Sequence, residues 1–142
     1  MLDQPCIWRC ERVLPSLTRA CSHFMEEVLS QLEAQGWEMS DTFGVQLAME
    51  EALVNAVKHG NRSDPAKNVS VRCEISSESF CAQVTDEGDG FDPSQVPDPT
   101  DPEQIENPHG RGILLMRNFM SRVEYNERGN CVSLEKRRTK SE

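Results

Sequence analysis

No apolar run in this chain of 142 residues comes near the ~18 residues that a helix needs to cross a bilayer. The first residues, Met1-Leu2-Asp3-Gln4-Pro5, lack a basic stretch followed by an apolar one, so no secretory signal is expected. Both absences point to a cytoplasmic protein without membrane contact. Basic charge is also scarce. Lys and Arg number 15 against 24 Asp and Glu, a formal charge of −9, which excludes a broad phosphate-binding surface for DNA or RNA. An anion bound by such a chain must be met locally, by backbone amides at a helix start and by a metal ion. The six cysteines, Cys6, Cys10, Cys21, Cys73, Cys81 and Cys131, include no CxxC pair. Free thiols packed as small hydrophobes are expected, because Cys6 and Cys10 with a histidine do not have a zinc spacing.

The length predicts one domain over residues 1–142. Cys6 to Leu14 reads as a strand, and Pro15-Ser16 offers a helix start. Leu17, Ala20, Cys21, Phe24, Met25, Val28 and Leu32 then fall on helical spacing, with Gly36 as the stop. A second helix begins at Ser40-Asp41 and runs to about Gly60, with Val45, Ala48, Met49, Ala52, Leu53, Ala56 and Val57 on its apolar stripe. Val69, Val71, Cys73 and Ile75 alternate with polar residues, as do Phe80, Ala82 and Val84, which predicts a hairpin. Asp86 keeps the phase of the second strand and is expected on the inner face.

Residues 91–109 hold Pro93, Pro97, Pro99, Pro102 and Pro108 among many acids, and predict a lid rather than a core element. A third helix follows Gly110-Arg111-Gly112. A second hairpin, carrying Val123 and Tyr125, then Val132 and Leu134, turns at Arg128-Gly129-Asn130. The charged end, from about residue 137 to 142, is expected to fray. The order predicts an α+β fold: a two-layer α/β sandwich with a mixed, mostly antiparallel sheet and helices on one face.

Three short motifs carry the chemistry. In Glu51-Ala52-Leu53-Val54-Asn55, the carboxylate and the amide are four residues apart and project from one side of a helix. Together they can serve one Mg²⁺·phosphate group, with Asn55 offering a neutral oxygen and Glu51 acting as a base. The alternative is a pair of ordinary polar residues at an exposed edge. His59, about one turn further, either contacts a nucleotide or caps the helix end. In Asp86-Glu87-Gly88-Asp89-Gly90-Phe91, an inward carboxylate at a strand end can accept an exocyclic amine, while Gly88 and Gly90 allow close approach. A plain turn is the alternative, since the spacing of a calcium loop is missing. Gly110-Arg111-Gly112 opens a helix whose free amides can bind phosphate, with charge added by Arg111. It is neither a Walker A loop nor a Rossmann fingerprint.

In this order the segments EEALVNAVKHGN, VTDEGDGFDP and GRGILLMRNFM resemble the superfamily of gyrase, heat-shock chaperone, histidine-kinase and MutL ATPases. Within it, the chain is similar to bacterial anti-sigma-factor serine/threonine kinases, over about residues 15–136. The resemblance implies ATP and Mg²⁺ as cofactors, Glu51 as general base, Asn55 as metal ligand and Asp86 as the acid that reads adenine. It implies that Gly88 and Gly90 shape the base pocket and that Gly110 and Gly112 hold the triphosphate under the lid. It further implies a sigma factor and an anti-anti-sigma protein as partners, and a homodimer as an option. Two departures stand out. Asn107 or Pro108 occupies a region where the superfamily often has a further glycine. Asn130 and Cys131 follow Gly129 where such kinases usually have the threonine that supports the adenine-site acid. The other readings are a nucleotide-dependent module that holds its partner without phosphorylating it, and a switch that activates a phosphatase.

Overall fold

The computed structural model describes residues 6–88 and 108–139. The elements are β1 (Cys6–Pro15), α1 (Thr18–Ala34), α2 (Met39–Val54), a π-helical turn (Asn55–Gly60), β2 (Asn68–Ser76), β3 (Ser79–Thr85), α3 (Pro108–Phe119), β4 (Arg122–Tyr125) and β5 (Cys131–Arg137). The strands form one sheet in the order β1-β2-β3-β5-β4, with every pairing antiparallel.

Alternation decides which face of the sheet is covered. Val69, Val71, Cys73 and Ile75 on β2, Phe80, Ala82 and Val84 on β3, and Val132 and Leu134 on β5 are all buried, while Ser70, Arg72, Glu74 and Gln83 between them are exposed. The helices cover that buried face. α1 contributes Cys21, Phe24, Met25, Val28 and Leu32 at helical spacing. Leu17, expected on this stripe, instead sits just before the helix and is half exposed, because the backbone there is still extended. α2 packs against both α1 and α3, so it is buried on more than one side. Its close approach to α3 needs Gly44, where a Cβ would lie 3.3 Å from the Phe119 carbonyl oxygen. Each fully buried Val, Leu, Ile or Phe in this layer contributes roughly 1.5–3 kcal/mol. All six cysteines are free thiols, with Cys10 and Cys73 facing each other across β1 and β2.

The expected frayed end is corrected by the structure as far as Thr139. β5 runs to Arg137, and the Arg138 N–H donates to the Glu78 carbonyl at 2.7 Å. The Arg138 guanidinium donates to the Gly36 carbonyl at 2.6 Å and lies 5.5 Å from the centre of the Trp37 ring. Asp41 receives both the Thr139 N–H (2.8 Å) and its hydroxyl (2.7 Å), with the Lys136 ammonium 3.8 Å away. Asp41 was expected to start α2 as a cap. It is instead buried inside the first turn and ties the chain's end to the α1–α2 connection. Residues 140–142 lie outside the described residues.

Removing a buried charged acceptor strands its donors, at a cost of roughly 2 kcal/mol. Asp41→Ala is therefore expected to lose about that much stability in urea unfolding, and Thr139→Ala to lose less. In the Asp41→Ala background, Thr139→Ala is expected to have almost no further effect, since the shared contact is already gone. Additive losses would contradict the clamp.

Candidate active site

The inner-face phase of β3 carries past its last residue, so Asp86 points inward and is only 9% exposed. Its N–H donates to the Asn130 carbonyl at 2.9 Å, and its carboxylate accepts the Gly88 N–H at 2.8 Å. Gly60 lies directly against it. A Cβ on Gly60 would fall 2.2 Å from the Asp86 carboxyl carbon, and one on Gly88 would fall 1.9 Å from the Gly60 carbonyl oxygen. Gly88 is required against the Gly60 backbone, and a side chain at Gly60 would displace the Asp86 carboxylate. Burial pushes the Asp86 carboxyl above its ordinary range; the Gly88 amide opposes that shift, helped by Arg128 and Lys67.

The end of α2 reaches the strand through a change of helical winding. The Asn55 N–H still bonds back to the Glu51 and Ala52 carbonyls. Beyond it the turns widen: the Asn61 N–H reaches the Ala56 carbonyl (2.8 Å) and the Ser63 N–H reaches that of Val57 (2.8 Å). Arg62 and Ser63 follow in the left-handed region, with φ of 52° and 56°. This winding turns Asn61 fully inward. Its amide donates to Ser16 Oγ (3.0 Å) and to the Asn68 carbonyl (2.9 Å), and its oxygen accepts the Glu87 N–H (2.7 Å). The Glu87 carboxylate in turn accepts the Asn68 N–H. One asparagine thus ties the helix end to the β1–α1 connection, the start of β2 and the loop after β3.

A small cleft opens between these parts. Asn55, His59 and Gly60 line it from the helix side, Val84 and Asp86 from β3, and Tyr125, Asn130 and Val132 from the second hairpin. Of the residues singled out in the sequence, Asn55, His59 and Asp86 meet here. Gly88 lies in the turn behind Asp86. Glu51 is partly buried one α-helical turn before Asn55 and does not line this cleft. Gly90 and the segment 91–107 lie outside the described residues. α3 begins at Pro108, so Pro108 and His109 belong to the helix rather than to a lid, and Gly110, Arg111 and Gly112 fall at its start. Proline suits a first helical position, and the early N–H groups there have no partner within the helix.

Four cleft or near-cleft residues escaped the sequence reading as site residues: Gly60, Asn61, Tyr125 and Asn130. Gly60 reads as a helix stop, and only the approach of Asp86 reveals its second role. Asn130 and Cys131 stand where the resemblance implies a supporting threonine in such kinases, and the Asn130 side chain donates at 3.3 Å to the Asp86 backbone carbonyl, not to the carboxylate. Asn126 anchors that turn by accepting the N–H groups of Gly129, Asn130 and Cys131.

The model of the histidine kinase-like ATPase domain family matches residues 13–136. The chain belongs to this family. An anti-sigma F factor of Oceanobacillus iheyensis is 28% identical over 109 residues, covering 72% of this chain and 74% of that protein. The serine-protein kinase RsbW of Bacillus licheniformis is 31% identical over 108 residues, covering 71% and 68%. A solved structure of RsbU and RsbW domains from Mycobacterium tuberculosis shares the fold, with a TM-score of 0.63 at 16% identity over 92% of this chain, which spans 32% of that longer one. The histidine kinase-like ATPase fold therefore carries the Asp86 cleft. Among the described residues no helix is long and apolar enough to cross a membrane.

The buried Asp86 carboxylate has a consequence for stability. An acid whose pKa is raised by folding stabilises the native state most below its unfolded value of about 3.9, and that contribution is lost as pH rises through the folded value. Asp86→Asn keeps the acceptor for Gly88 but cannot ionise. It is expected to be at least as stable as wild type at pH 7, with the difference shrinking as the pH approaches about 4. Urea midpoints across that range check this; a variant clearly weaker at pH 7 would contradict it.

Proposed function

We propose that this chain is an ATP-dependent protein serine kinase and anti-sigma factor, which holds a sigma factor and phosphorylates a serine of an anti-anti-sigma protein. The observation that carries this reading is the shared cleft of Asn55 and Asp86, with Glu51 one α-helical turn before Asn55. The names of the relatives, anti-sigma F factor and serine-protein kinase RsbW, support the choice of partners.

The residues fit Mg·ATP. A buried carboxylate beside a glycine-lined surface suits the exocyclic amine of adenine. The Asn55 side chain is buried in the wall of the cleft, and its nitrogen has no hydrogen-bond partner among the described residues. In this reading Asp86 accepts the adenine amine, Asn55 presents its oxygen on the phosphate side, and the first amides of α3 meet the phosphates. Mg²⁺, when bound, supplies neutralising charge for the phosphates. Glu51 takes the proton of the attacking serine hydroxyl. The serine oxygen forms a bond to the γ-phosphorus, the bond to the bridging oxygen breaks, and ADP departs. Positioning and charge stabilisation carry most of the rate, and the base adds a further factor of about 10²–10⁴.

Glu51→Gln separates binding from transfer. Calorimetry is expected to give ATP affinity within a fewfold of wild type, while phosphate transfer to a purified anti-anti-sigma protein falls by about 10²–10⁴. Transfer at the wild-type rate would reject Glu51 as the base. Absence of transfer by the wild-type protein would favour a module that binds its partner without phosphorylating it.

A further inference from the structure

We propose that Asn130 is a specificity-determining residue of the cleft, whose side-chain nitrogen donates to the ring nitrogen N1 of adenine while Asp86 accepts the exocyclic amine beside it. This inference rests on the adenine reading of the cleft and extends it to a second atom of the base. Register places the two side chains together. Val84 on β3 pairs with Val132 on β5, and both are buried on the inner face. Asp86 comes two residues after Val84, and Asn130 two residues before Val132. In an antiparallel pair they are therefore the next couple on the same face. The Asp86 N–H bond to the Asn130 carbonyl, at 2.9 Å, continues the pairing to this point. Side chains of such a couple start roughly 5 Å apart, and both line the cleft.

The turn decides which end of the Asn130 amide meets Asp86. One side-chain atom of Asn126 accepts the N–H groups of Gly129 (2.7 Å), Asn130 (3.1 Å) and Cys131 (3.2 Å). A backbone N–H only donates, so that atom is the oxygen, and the other end of Asn126 is its NH₂ group. The NH₂ group lies 2.8 Å from the Asn130 side chain, and the atom it meets there must be the amide oxygen. The Asn130 nitrogen is thereby turned to Asp86, where it meets a backbone carbonyl, an acceptor, at 3.3 Å. An amide nitrogen carries two hydrogens. The Asp86 carbonyl takes one, which leaves the second for the cleft. The wall then presents an acceptor, the Asp86 carboxylate, next to an anchored donor. Adenine has the complement on neighbouring atoms: the amine at C6 donates and N1 accepts. Guanine has the reverse, a carbonyl oxygen at C6 and an N–H at N1, and meets a like partner at both. A hydroxyl in place of this amide would rotate and serve either way.

The test is calorimetric titration, with Mg²⁺ present, of wild type and Asn130→Ala with ADP and with 1-deaza-ADP, in which a C–H replaces N1. Wild type is expected to bind ADP about threefold to tenfold more tightly than 1-deaza-ADP, the scale of one net hydrogen bond. In Asn130→Ala that preference is expected to shrink to within about twofold. Loosening of the turn alone would weaken both ligands in parallel and leave their ratio as it is in wild type. Equal affinity of wild type for the two ligands, or a preference that survives in Asn130→Ala, would overturn the inference. Purine riboside diphosphate, which keeps N1 but lacks the amine at C6, separates it from the reading on which it rests. Weaker binding of that ligand than of ADP keeps Asp86 as the acceptor whatever Asn130 does. A wild-type protein that binds ADP no better than UDP would bring down the adenine reading and this inference together. Should Asn130→Ala fold poorly, Asn130→Asp takes its place, being isosteric, keeping an oxygen for Asn126 and lacking the N–H. Loss of the preference for ADP over 1-deaza-ADP is again expected, and its persistence overturns the proposal.

Discussion

Asp86 can be both buried and open to a ligand because two glycine positions leave it room. Gly60 meets its carboxylate at a distance where a methyl group would overlap it, and Gly88 meets the Gly60 carbonyl in the same way. The end of α2 is thereby held against the end of β3. That contact fixes how far the helix layer stands from the sheet at this edge, and it gives the cleft its floor. The widened turn after Asn55 brings Gly60 to this place, and Asn61 locks it there through bonds to three separate segments. Site and scaffold are the same construction: the bonds that hold the helix end in place also orient the residues that line the cleft.

The architecture was legible where an element has a clear period. The 3.6-residue stripe from Cys21 to Leu32 and the two-residue alternation from Val69 to Val84 each admit one reading, and the structure follows both. The inward phase of Asp86 follows from the same alternation. What the sequence did not show depends on contacts between distant segments. Asp41 looks like a helix start because acids favour first turns, and nothing local reveals that Thr139, 98 residues away, donates to it. The fixed position of the chain's end was hidden for the same reason, since Lys136 to Glu142 is charged and locally resembles any solvated tail. The π-helical winding after Asn55 has no pattern of its own in the apolar stripe, which continues through Ala56 and Val57.

The site divides along the same line. Residues recognised by motif, Asn55, His59 and Asp86, converge on one cleft, and Gly88 lies behind it. Those that escaped notice come from the opposite wall or act through shape. Tyr125 reads as an inward strand residue, and its place opposite Asn55 emerges only when β4 pairs with β5. Asn130 looked like a lost support for the acid. It still supports that corner, but through the Asp86 backbone, because an asparagine in this turn reaches the carbonyl while its own backbone oxygen accepts the Asp86 N–H. The corner is thus held through the Asp86 main chain, while the carboxylate accepts the Gly88 N–H.

Whether nucleotide binding uses the space at Gly60 can be measured directly. Gly60→Ala leaves every polar group of the cleft in the chain but puts a methyl where the Asp86 carboxylate now lies. The decisive measurement is calorimetric titration of this variant with ADP and Mg²⁺ beside wild type, with circular dichroism to establish that it is folded. The expected result is a folded protein whose affinity for ADP has dropped about tenfold or more, the scale of losing a hydrogen bond to a charged group. A folded Gly60→Ala protein that binds ADP as tightly as wild type would contradict the assignment of the Asp86 cleft as the adenine site.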